Sequence, residues 1–171
     1  MKDAFLGLND RLYQACVWVS GLAIVVMALI IPWGIFTRYV LGSGSQWPEP
    51  ISILLMVLFT FLGSAAGYRA GAHIAVAMIT DRLPVAVQRP LAVFITVLMG
   101  LVAAFMLFYG THLCTELWGQ SLAELPWMRA GAGYLPVPVA GFVTLLFVIE
   151  RLTLGNQNHR AIVQSDSTLE T

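Results

Sequence analysis

The sequence predicts an all-α integral membrane protein with four transmembrane helices and both termini in the cytoplasm. Three observations carry that prediction. Hydrophobic residues make up 58% of the chain against 11% charged, with a mean hydropathy of +0.81, and so few charges cannot coat a soluble globule. Charged residues leave uninterrupted uncharged runs at 12–37, 50–68, 90–115 and 130–149. Basic residues concentrate in alternate connections, as expected of a chain that weaves through a bilayer.

Each run is long enough to span, because about 20 helical residues rising 1.5 Å apiece cross a hydrocarbon core about 30 Å thick. The runs are continuously apolar rather than alternating, so helices and not barrel strands satisfy the backbone. The spans are placed at about 14–37, 50–68, 90–112 and 133–152, within a four-helix membrane domain covering 1–152. The first run is read as a retained helix, since it exceeds a signal-peptide core and no small-x-small cleavage site precedes a polar mature chain. Pro32 and Gly34 predict a bend near its outer end. In the second run, Gly63, Gly67 and Gly71 recur every fourth residue, a spacing that permits close helix approach. Pro136 and Pro138 mark the start of the fourth, where missing donors matter little. The polar tail 153–171 is expected to be disordered and cytoplasmic.

Lys2 and Arg11 precede the first span, Arg69, Arg82 and Arg89 follow the second, and Arg151 and Arg160 follow the fourth, whereas only Arg38 and Arg129 occupy the opposite side. The positive-inside rule therefore places both termini in the cytoplasm. Trp47, Trp118, Trp127 and Tyr134 then lie in the outer connections, where amphipathic rings mark the interface. Of those connections, 116–129 is long enough to lie along the outer surface. Cys16 and Cys114 fall at opposite ends of their helices, a membrane thickness apart, which excludes a disulfide between them.

Nine Lys and Arg balance nine Asp and Glu, so net charge offers nothing to nucleic acid. No charge falls at the middle of any span. The polar inventory there reduces to Ser20, Ser52, Thr60, Ser64, Thr96 and Thr144, hydroxyls that a helix commonly satisfies from its own backbone. A solute pathway or proton relay requires a polar lining these helices lack, so the chain is read as supporting transport rather than conducting it. A free-standing four-helix exporter is disfavoured, since no carboxylate lies in 12–37. No catalytic, substrate-binding or metal residues are assigned, no cofactor is expected, and the chain is not read as an enzyme. The alternative is a redox anchor holding haem or quinone, which requires facing histidines. His73 is placed on the cytoplasmic side, His112 near the outer end of the third helix and His159 in the tail, so no two are expected to meet at one metal. Across the first outer turn, Arg38 is expected to meet Glu49 as an interfacial pair.

Short patterns recur in an order that resembles the small, DctQ-like membrane subunit of tripartite ATP-independent periplasmic (TRAP) transporters. They are Arg38, Tyr39, Val40, Leu41 and Gly42 after the first helix; Trp47 and Glu49 entering the second; and Phe61, Leu62 and Gly63 within it. Arg69, Gly71, His73, Ile74 and Val76 follow that helix, and Tyr134, Leu135, Pro136, Val137 and Pro138 open the last. The resemblance covers about residues 10–152; Pro50 and Ala77 stand where members often carry carboxylates. It implies a multi-pass protein of the bacterial inner membrane that braces the scaffold of a large permease subunit. That permease imports an organic acid with sodium, and a periplasmic solute-binding protein delivers the cargo. Structural or partner-interface candidates are Arg38, Trp47, Glu49, Gly63, Gly67, Arg69 and His73, with membrane lipid as a further partner.

Overall fold

A computed structural model describes residues 2–43, 47–71, 85–123 and 125–155. The expectations for His73, Arg82, His159 and most of the tail lie outside the described residues. Helix α1 runs Lys2–Tyr39 without a break through Pro32. Helix α2, Pro48–Ala70, opens with Pro48 and Pro50 in its first turn, where no intrahelical donor is needed. It stops at Gly71, whose φ of 73° is the left-handed conformation that lets its N–H reach the carbonyls of Gly67 and Tyr68. Helix α3 spans Val85–Glu116 and ends in a 3₁₀ turn, Leu117–Gly119. The chain then folds back through an isolated bridge between Ser121 and Arg129, burying Leu125 beneath it. A short helix α4, Ala130–Tyr134, passes through Leu135 into α5, Pro136–Leu154.

Four stretches are long and apolar enough to cross a membrane: Phe5–Tyr39, Pro48–Ala70, Pro90–Gly119 and Ala130–Leu154. The protein is an all-α membrane protein of four spans. Helix α1 packs along α2, α2 along α5, and α5 along α3, so the order in space is α1, α2, α5, α3. That arrangement is an open row rather than a closed bundle. Its core is thin, built where Ala65 and Ala66 of α2 meet Ala140, Phe147 and Val148 of α5. Large apolar side chains such as Trp18, Leu29, Leu101 and Phe108 point outward, a surface that only lipid or an apolar partner can cover.

The long helices α3 and α5 approach each other closely, second only to Gly131 of α4, where a Cβ would lie 2.5 Å from the Cys114 oxygen of α3. A Cβ on Gly141 would lie 2.8 Å from the Leu107 nitrogen and 2.9 Å from the Ala103 oxygen, and one on Gly110 would meet Pro138 at 3.0 Å. Neither glycine belongs to the spacing singled out in α2. There, a Cβ on Gly63 would find ordinary contact, with Phe59 and Ser20 both at 3.6 Å.

Candidate functional site

The most polar place in the described structure is buried, and it lies at the shared end of α1, α2 and α5. Arg69, in the last turn of α2, has a side chain only 2% exposed. Its Nε and Nη2 donate to the two oxygens of Glu150 at 3.0 and 2.8 Å, a forked pairing that matches the planar guanidinium to a carboxylate. The same Nη2 donates to Asp10 Oδ1 of α1 at 2.6 Å. Asn9 Nδ2 completes the set by donating to Glu150 Oε2 at 2.9 Å, so α1 and α5 are joined directly as well as through Arg69. Tyr13 and Phe147 rings flank the guanidinium at 5.6 and 5.3 Å from their centroids, and such faces attract a cation. Next to it, Arg151 lies over the Tyr68 ring at 5.5 Å.

Burial makes this clasp an all-or-nothing arrangement. Ions removed from water are tolerated only when paired and hydrogen-bonded, and losing one partner leaves the other charge stranded. Arg69 Nη1 and Asn9 Oδ1 have no partner among the described residues. The chemistry available is cohesion between helices; nothing about the set resembles a pathway across the membrane, because all of it sits at one level.

Of the residues the sequence singled out, Arg69 is therefore not free to meet solvent or a partner. Arg38 and Glu49 do face each other, Nη2 to Oε2 at 3.6 Å, with side chains 55% and 75% exposed. Trp47 caps the start of α2 from an exposed position, without a side-chain hydrogen bond. Gly67 supplies a carbonyl to the α2 cap. Among the hydroxyls, Ser52, Thr60, Ser64 and Thr96 donate to carbonyls three or four residues earlier in their own helices. His112, on an outward face of α3, lies 4.0 Å from Glu116. Asp10, Glu150 and Asn9 were missed because each reads as end punctuation. The signal available was topological: in a chain of four spans, the residues just before the first and just after the second and fourth share one level.

Residues 27–156 match the family described as tripartite ATP-independent periplasmic transporters, DctQ component. The chain belongs to this family. Over 145 residues, covering 85% of this chain and 87% of the relative, the DctQ component is 26% identical to a Haemophilus influenzae protein described as a TRAP transporter small permease. It is 28% identical over 102 residues to the ectoine TRAP transporter small permease protein TeaB of Halomonas elongata; that match covers 60% of this chain and 53% of the relative. The family is one of transporter subunits, not enzymes. In this DctQ chain the family match includes Arg69 and Glu150 but starts after Asn9 and Asp10. The clasp thus ties the matched region to the helix start that precedes it.

The exposed pair should matter little to folding. Arg38→Ala is expected to shift stability by no more than about 1 kcal/mol, because two solvated side chains gain little from each other. Thermal unfolding in detergent, followed by size-exclusion fluorescence, checks this; a loss as large as that of a core substitution would contradict it.

Proposed function

We propose that this chain is the small permease subunit that braces the immobile scaffold of a large TRAP permease during sodium-coupled import of an organic acid handed over by a periplasmic binding protein. The observation that carries the reading is where the charge sits. The ion pairs Arg38–Glu49, Arg69–Asp10, Arg69–Glu150 and His112–Glu116 lie toward the ends of the spans, while between those ends Thr60 and Thr96 donate to their own helix backbones and Ser20 Oγ is buried without a hydrogen-bond partner among the described residues. Such helices offer neither a cation site nor a polar lining at mid-membrane. An open row with apolar surface on its outward faces is, by contrast, a shape suited to lying against a larger neighbour.

Orientation is part of the proposal. Insertion follows Lys and Arg counts and is little affected by carboxylates. Setting aside the buried Arg69, the remaining basic residues still favour the side that carries the termini, with only Arg38 and Arg129 opposite. The clasp then lies at the cytoplasmic end, and the folded connection around Leu125 faces the periplasm. The cargo is read as an organic acid from the family resemblance; a relative named for ectoine widens the class to small zwitterions.

Reconstitution tests the division of labour. Liposomes containing this chain alone are expected to show no solute flux under a sodium gradient. Adding the large permease and the binding protein is expected to restore uptake, and uptake by the small chain alone would end the reading.

A further inference from the structure

Beside the close approach of Gly34 to Pro48, the outer halves of α1 and α2 border a groove of about 570 Å³. Met27, Ile31 and Ile35 line it from α1, and Ile53 and Met56 line it from α2, each set following one helical face. Arg38 and Glu49 stand together at its mouth, beside the exposed Tyr39. We propose that this groove holds one zwitterionic phospholipid with a primary-ammonium headgroup, acyl chains against the isoleucines and methionines and headgroup between Arg38 and Glu49.

The depth of the groove suits a lipid. From Met27 to Arg38 the helix rises about 16 Å at 1.5 Å per residue, close to half of a hydrocarbon core about 30 Å thick. The groove is therefore one leaflet deep, apolar toward the membrane centre and charged at the headgroup level.

Charge selects the headgroup. The Arg38 guanidinium can take a phosphate in forked fashion, and the Glu49 carboxylate can accept from an ammonium. At 3.6 Å, with both side chains more than half exposed, the two are held loosely enough to exchange each other for such partners. An anionic lipid would satisfy Arg38 but face Glu49 as a like charge. A choline headgroup carries no N–H to donate. A phosphatidylethanolamine-type headgroup answers both groups at once.

The test is native mass spectrometry of the chain, with whatever accompanies it, extracted gently from its own membrane. One phosphatidylethanolamine is expected to stay bound. After delipidation, phosphatidylethanolamine should rebind about tenfold more tightly than phosphatidylglycerol or phosphatidylcholine. The double variant Arg38→Gln, Glu49→Gln should lose that preference. Ile53→Trp should fill the groove and abolish retention, with Met56→Trp as a second filling variant should the first not fold. Ile53 and Met56 are outward-facing, so unfolding temperature should not change. Three results overturn the proposal: no lipid retained, retention unaffected by groove filling, or efficient cross-linking of Ile53→Cys to a helix of another protein.

Discussion

Arg69→Met is expected to destabilise the folded chain by about 3–5 kcal/mol, the largest loss of any single substitution considered for this protein. Arginine is the hub of the clasp: its fork holds Glu150, and the same nitrogen holds Asp10. Without it two carboxylates remain, and the Glu150 side chain, 1% exposed, has no access to water that would soften the change. Asp10, at 11%, is nearer the surface and loses less. Glu150→Gln should be milder, since an amide still accepts from Arg69 and Asn9, while the guanidinium keeps Asp10. Removing all the charges together, as Arg69→Met, Glu150→Gln and Asp10→Asn, should recover most of the loss, because replacing a buried ion set outright is often close to neutral. Thermal unfolding and yield of the four proteins in one detergent measure the series. Equal stability of Arg69→Met and the triple variant would show that stranded charge is not the cause.

The clasp has a structural consequence that ordinary packing does not supply. In an open row α1 is an edge helix and touches α5 only narrowly. Asn9 and Asp10 secure its beginning to both α2 and α5, whereas among the described residues its far end meets α2, with Gly34 close against Pro48 and Arg38 facing Glu49. The row is thus tied across three helices at one membrane level and across α1 and α2 alone at the other, beside the groove.

Much of this was legible in the sequence. Four runs without charge are a strong pattern because an unsatisfied backbone group in hydrocarbon leaves the helix as the only solution for a continuous apolar stretch. Gly71 ends α2 and Pro48 and Pro50 begin it, as their backbone constraints require. What stayed hidden was lateral order. The row α1, α2, α5, α3 depends on which apolar face meets which, and nearly every face of these helices is apolar, so periodicity carries little information. The same uniformity hid the clasp. Asp10, Arg69 and Glu150 each stand at the end of an uncharged run, where charges normally meet water, and only the contact between helix ends reveals that they meet one another. The glycine spacing in α2 likewise drew notice from its regularity, although regular spacing says nothing about what lies opposite.

The substitution Gly141→Ala is expected to destabilise the chain by about 1–3 kcal/mol, even though it adds one methyl group and favours the helix locally. Where the added Cβ would go, the Leu107 nitrogen at 2.8 Å and the Ala103 oxygen at 2.9 Å belong to the backbone of α3, which cannot rotate aside as a side chain can. To admit the methyl group, α3 must move away from α5, and α3 has no other long neighbour in the row. Gly110→Ala presses on Pro138, whose ring and nitrogen lie at 3.0 and 3.1 Å, so it should act in the same direction. Gly63→Ala is the control. Its new carbon would find only ordinary contacts at 3.6 Å, and replacing glycine inside a helix recovers about 0.5–1 kcal/mol of backbone entropy, so the variant should be neutral or slightly more stable. Measured side by side by thermal unfolding in detergent, the three variants separate two explanations for glycine in a membrane helix. If Gly63→Ala were the damaging change and Gly141→Ala the harmless one, the assignment of the close seam to α3 and α5 would be wrong.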